Sequence, residues 1–97
     1  VNLLCELIDA RFAANKELAT RFPDSPCARG ESAKSLISFV TDRLGHDTRY
    51  AIDASKISTE LGYDPVEDFD SGLNKTVDWY LANEQWWRSI QDGSYRQ

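Results

Sequence analysis

Apolar residues open the chain at helical spacing. Val1, Leu4, Cys5, Ile8 and Phe12 recur at i, i+3, i+4, i+7 and onward, one stripe of an α-helix. Leu3, Leu7, Ala10 and Ala14 form a second apolar face, which predicts a helix covered on two sides. Residues 15–35 carry Pro23, Pro26, Gly30 and scattered serine and charge, a loop pattern with room for one helical turn over 16–21. Leu36 to Val40 is a short β-prone run, broken by residues 42–47 around Gly45, and Arg49 to Ile52 reads as a second short strand. Asp53 suits the cap of a short helix over 54–61, with Gly62 at the position that favours positive φ. Tyr63-Asp64-Pro65 is a turn. Asp68 caps a longer helix with Asp70 in its first turn, where a carboxylate is favourable against the helix dipole. Phe69, Leu73, Val77, Tyr80 and Trp87 fall on one side of it, Trp79, Trp86 and Ile90 on an adjoining face, and Asn83-Glu84 is a place to break it in two. The pattern predicts a mainly α fold with short β-strands (α+β), one domain over residues 1–97, with Tyr50, Ile52, Ile57 and Leu61 as packing residues.

Composition narrows the function classes. An apolar share of 41% over 97 residues is that of a folding chain, able to bury roughly 60–65% of its unfolded surface. No apolar run approaches the ~20 residues of a membrane span. The net charge of −5 argues against nucleic acid or an anionic membrane as partner, because phosphate-backbone affinity rests on clustered Lys and Arg. Between Ala51 and Asp70 the carboxylates Asp53, Glu60, Asp64, Glu67, Asp68 and Asp70 face only Lys56. A local basic site exists in outline at Arg43, His46 and Arg49. Cys5 and Cys27 lie in no metal-ligand spacing, so no metal site is expected, and their pairing or freedom is open. Cys5 reads as a small buried hydrophobe of a cytoplasmic protein. The chain has no methionine and starts inside a helical pattern, which suggests a piece of something larger.

A self-contained active site is not encoded. There is no glycine-rich dinucleotide loop or P-loop, no G-x-S-x-G elbow and no tyrosine with a lysine four residues on, so no catalytic residue is expected. The tryptophans at 79, 86 and 87 are read as packing rather than as a base-stacking platform on so acidic a chain. Residues Asp42-Arg43-Leu44-Gly45-His46-Asp47 stand out. Arg43 can fork two N–H donors onto a phosphate, and Gly45 lets the backbone turn so that residues 43 and 46 converge on one ligand. The bland alternative is Arg43 paired with Asp42 or Asp47 on the surface.

From here the sequence resembles a known family. Asp42-Arg43-x-Gly45-His46-Asp47-x-Arg49-Tyr50-Ala51-Ile52-Asp53-Ala54-x-Lys56-Ile57, then Glu60-Leu61-Gly62-Tyr63-x-Pro65, is similar to the C-terminal part of dTDP-glucose 4,6-dehydratases. The likeness runs on through Phe69, Ser71-Gly72-Leu73, Lys75-Thr76-Val77 and Trp79-Tyr80-Leu81-Ala82-Asn83, about sixty residues in line. Leu44 departs from it, standing where the family usually has proline, and residues 15–35 are longer than in many members.

The resemblance implies the C-terminal substrate-binding region of an α/β extended short-chain dehydrogenase. Its absent N-terminal Rossmann domain would bind NAD and carry the glycine fingerprint, the catalytic tyrosine and lysine and the Asp-Glu dehydration pair. The whole lyase would turn dTDP-glucose into dTDP-4-keto-6-deoxyglucose for rhamnose and related bacterial surface sugars, lipopolysaccharide among them, as a cytoplasmic homodimer. Arg43 would hold the nucleotide diphosphate, His46 would contact the nucleotide end of the substrate, and Asp42, Leu44 and Gly45 would shape the loop. The isolated chain would be inactive and bind no NAD. A free-standing acidic helical interaction module, or the C-terminal region of another nucleotide-sugar epimerase or decarboxylase, are the competing readings.

Overall fold

Asn2–Ala14 forms helix α1, the first element of the computed structural model, which describes residues 1–96. Of its two apolar faces only part is covered: Cys5 and Phe12 are buried, while Leu3 and Leu4 stay exposed. The helix stops at Asn15, whose backbone is extended and whose side-chain oxygen accepts from the Glu17 N–H at 3.0 Å. That contact starts the one-turn helix α2, Glu17–Arg21, where a turn was anticipated. Leu18 on α2 is buried, because α2 folds back beside α1.

The stretch expected to be loop over 15–35 holds more order than its prolines suggested. Two short 3₁₀ helices, Pro26–Arg29 and Ala33–Leu36, each begin at a serine whose hydroxyl accepts a backbone N–H two residues on. Both lie against α1 and are fastened by one carboxylate. Asp9 accepts from the Ala33 N–H at 2.7 Å, from the Ser32 hydroxyl at 2.5 Å and from the Cys27 thiol at 3.2 Å. The Ala33 N–H, then Ser32 and Cys27, stabilise the charged form and hold the Asp9 carboxyl below its ordinary range.

Helix α3, Ser55–Leu61, begins one residue later than anticipated, with Asp53 accepting from the Ser55 N–H at 2.9 Å, and ends at Gly62, whose φ is +66°. Helix α4, Phe69–Ala82, is capped by Asp68, which accepts from the Ser71 N–H at 2.7 Å, and α5, Glu84–Gln91, follows after the break at Asn83. Val77 is the buried residue of α4. Helix α1 is pinned to α4 by Arg11, which donates to Asp78 at 2.8 Å and to Asn74 at 2.8 Å. Arg21 donates to the Leu81 carbonyl at 2.6 Å and reaches Glu84 at 3.3 Å, while Phe22 stacks on Trp87 with centroids 6.2 Å apart. The two ends of the chain thus close on each other.

The middle does not join them. Residues 37–66 are exposed throughout, and α3 packs against no other element. The Cα radius of gyration is 17.8 Å, where a compact chain of this length would have about 12–13 Å. Among the described residues there is no β-strand, so the mainly α expectation holds and its β part does not. The strands expected over 36–40 and 49–52 do not form: Leu36 ends the second 3₁₀ helix, and a strand is defined by ladder partners, which neither run has among the described residues. For the same reason Tyr50, Ile52, Ile57 and Leu61, expected to pack, face solvent. No described helix is long and apolar enough to cross a membrane.

Candidate functional site

Residues 42–47 lie within this exposed segment. Leu44 and Gly45 form a tight turn in which Gly45 takes φ +72°, a conformation costly for any residue with a Cβ. The turn brings Asp42 and His46 together. Asp42 Oδ1 lies 2.6 Å from His46 Nδ1 and also accepts the backbone N–H of Arg43 at 2.8 Å. The Tyr50 ring flanks the imidazole at 6.4 Å, tilted by 50°. Of the five residues anticipated here, Asp42 and His46 are in direct contact, Gly45 makes the turn possible, and the Leu44 side chain projects fully into solvent.

Arg43 does not follow the bland reading. Among the described residues its guanidinium makes no ion pair, and Asp42 is engaged by His46 and by the peptide N–H instead. Neither Asp47 nor Asp42 neutralises it. A guanidinium without an ion-pair partner, next in the chain to a glycine turn, suits an anionic ligand, since Arg offers only donors in a planar fork. All six residues 42–47 are exposed.

The aromatic group on α4 and α5 divides. Trp87 is half-buried, stacked on Phe22 and donating from Nε1 to the Tyr80 carbonyl at 2.9 Å, as a packing role requires. Trp79 and Trp86 meet edge to face at 5.2 Å yet remain exposed, with Tyr80 and Ile90 beside them. The cysteines are both free. Cys5 is buried as anticipated, and the Cys27 thiol is pushed up from its ordinary pKa, first by burial and then by its bond to Asp9. The fastening of residues 26–36 by Asp9 was not visible in the sequence; the only trace was the pair of serines at 25 and 32, each a capping residue.

Comparison with known proteins adds what the geometry lacks. The chain is 50% identical over 93 residues to a dTDP-glucose 4,6-dehydratase of Neisseria meningitidis serogroup B, a match covering 94% of this chain and 24% of that protein. A protein of the same name from Escherichia coli is 45% identical over 95 residues, 98% of this chain and 23% of its own length. Another from Xanthomonas campestris is 54% identical over 71 residues, 73% of this chain and 20% of that protein. No family model and no solved structure matches the chain. By sequence the chain is similar to dTDP-glucose 4,6-dehydratases, matched along nearly all of itself to about a quarter of their length.

Proposed function

We propose that this chain is the C-terminal, substrate-side part of a dTDP-glucose 4,6-dehydratase, the cytoplasmic NAD-dependent lyase that forms dTDP-4-keto-6-deoxyglucose for bacterial deoxysugars such as rhamnose. The observation that carries the reading is the Arg43 guanidinium, free of any ion pair among the described residues and flanking the glycine turn that seats His46 against Asp42, inside the stretch of sequence likeness. Arg43 holds the diphosphate and His46 meets the nucleoside end. Residues 37–40 and 49–52, extended and unpaired here, gain their ladder partners from the rest of the enzyme, and the exposed Ile52 and Leu61 are covered there.

The residues present do not fit an NAD site. A dinucleotide cradle requires a strand leading through a glycine-rich turn into a helix N-terminus, and the described residues contain no strand. Cofactor, hydride transfer and water elimination therefore lie outside this chain in our reading, and no chemical step is assigned to its residues.

The test is titration of the ¹⁵N-labelled chain with thymidine 5′-diphosphate. One forked arginine contact and one imidazole contact on an open surface support about 4 kcal/mol of binding, or about 1 mM affinity. Saturable shifts of residues 42–50 are expected, and Arg43→Ala removes them. A spectrum unmoved by the nucleotide, or moved only outside this segment, refutes the reading.

A further inference from the structure

Asp42 has a use beyond shaping the loop. Its Oδ1 is placed twice over, by the Arg43 backbone N–H at 2.8 Å and by His46 Nδ1 at 2.6 Å. An ionised carboxylate has lone pairs and no proton to give, so the hydrogen in the second contact resides on Nδ1. In the neutral ring that leaves Nε2 bare, and the state of one ring nitrogen is set by the bond the other makes. Among the described residues nothing hydrogen-bonds to Nε2, and the imidazole keeps over a third of its surface exposed. We propose that Asp42 is a positioning residue that holds His46 as its Nδ1–H tautomer and so aims an acceptor, not a donor, at the ligand.

The proposal rests on the nucleotide reading of residues 42–47 and gives that site its selectivity. Arg43 supplies only donors and His46 Nε2 supplies only an acceptor. A ligand satisfying both must carry anionic oxygens next to an O–H or N–H group, as a nucleoside diphosphate does through its ribose hydroxyl or base imide. Ionised pyrophosphate satisfies the arginine and leaves the acceptor facing a like pattern of lone pairs. Among the described residues the contacts of the imidazole are Asp42 and the Tyr50 ring, and its charged neighbours along the segment are Asp42, Arg43, Asp47 and Arg49. Asp42 is therefore the carboxylate in place to choose the tautomer.

The chain has a single histidine, so its ring nitrogens are read without ambiguity. Long-range ¹H–¹⁵N correlation spectra of the labelled chain, recorded at alkaline pH and without ligand, are expected to show a protonated Nδ1 and an unprotonated Nε2. In Asp42→Ala the ring reverts to the Nε2–H form that a free histidine side chain favours. Asp42→Asn keeps an acceptor oxygen at the same place and retains the Nδ1–H form in large part. Because residues 37–66 are exposed throughout and α3 packs against no other element, all three chains are expected to keep the same helical circular dichroism. A wild-type ring that is mainly Nε2–H, or an Asp42→Ala spectrum identical to wild type, overturns the assignment. A second arm compares thymidine 5′-diphosphate with pyrophosphate: Asp42→Ala is expected to narrow the preference for the nucleotide about two- to twelvefold, the worth of one neutral hydrogen bond. A preference unchanged by the substitution refutes the selectivity role. The tautomer is read without any nucleotide, so a correct tautomer in a chain that ignores thymidine diphosphate sinks the nucleotide reading alone.

Discussion

Two substitutions that delete comparable carbon test where the stability of this chain resides. Leu18 is 3% exposed between α1 and α2, and Ile52 is 95% exposed on the middle segment. Truncating either to alanine removes three side-chain carbons, about 2.4 kcal/mol of transfer free energy at about 0.8 kcal/mol per carbon if the residue is buried. Leu18→Ala leaves a gap as well, and large-to-small core changes of this kind cost about 2–5 kcal/mol in all. Beside Leu18 lies an open cleft lined by Ala14, Arg21, Asp78 and Leu81, so neighbours and water can enter the space and the cost falls toward the lower end, about 2–3 kcal/mol. Ile52→Ala loses a side chain already in water and changes stability by less than about 0.5 kcal/mol. Urea unfolding followed by far-ultraviolet circular dichroism measures both. A chain whose buried hydrophobic set is only Cys5, Phe12, Leu18, Ala33 and Val77 has little to spare, so Leu18→Ala is expected to leave a large unfolded fraction without denaturant. An Ile52→Ala loss above about 1 kcal/mol would mean that the middle segment packs onto the helices, and the division drawn here would fail.

Other outcomes follow from the same contacts. In the whole enzyme, Arg43→Ala is expected to weaken thymidine 5′-diphosphate binding by about 1.5–3 kcal/mol, roughly 10- to 150-fold by calorimetry; an unchanged affinity removes the diphosphate role. Because the folded-state Asp9 carboxyl is held below its ordinary pKa, the stability it contributes is present above the unfolded-state value and lost as pH falls through the folded one. Acid titration is therefore expected to loosen residues 26–36 from α1, seen as loss of hydrogen-exchange protection at the Ala33 amide, and Asp9→Asn should flatten that pH dependence. Aromatic disulfide reagents should label Cys5 and Cys27 slowly at neutral pH, Cys5 because it is buried and Cys27 because burial and Asp9 disfavour its thiolate. Asp9→Ala should speed the labelling of Cys27 and leave Cys5 slow; equal rates at both would contradict the contact.

What the sequence disclosed depended on how local the cause was. The α4 cap at Asp68, the positive φ at Gly62 and the break at Asn83 are decided by neighbours within four residues, and each was legible, whereas Asp53, expected to cap α3, stands one residue before its N-cap Ala54 and accepts from the Ser55 N–H. The strands over 36–40 and 49–52 were read from β-branched and aromatic composition, which states a preference but provides no ladder partner. The Asp9 fastening joins residues 18 to 24 positions apart, and no period or motif announces it. For the candidate site, the spacing of Arg43, Gly45 and His46 pointed to the right turn. Whether Arg43 would be cancelled by a neighbouring aspartate was undecidable without geometry, because Asp42, one residue before it, and Asp47, four residues after, are both within reach of a long side chain.

The pairing of the chain's two ends has a consequence for its response to proteases. Arg11 with Asp78, Arg21 with the Leu81 carbonyl, and Phe22 with Trp87 tie residues before 37 to residues after 68 without any help from the peptide between. A single cut in the open stretch between Ile37 and Ala54 severs the covalent path but none of these bonds. The products are two peptides that stay clasped as a nicked, non-covalent pair, to be parted only by denaturant.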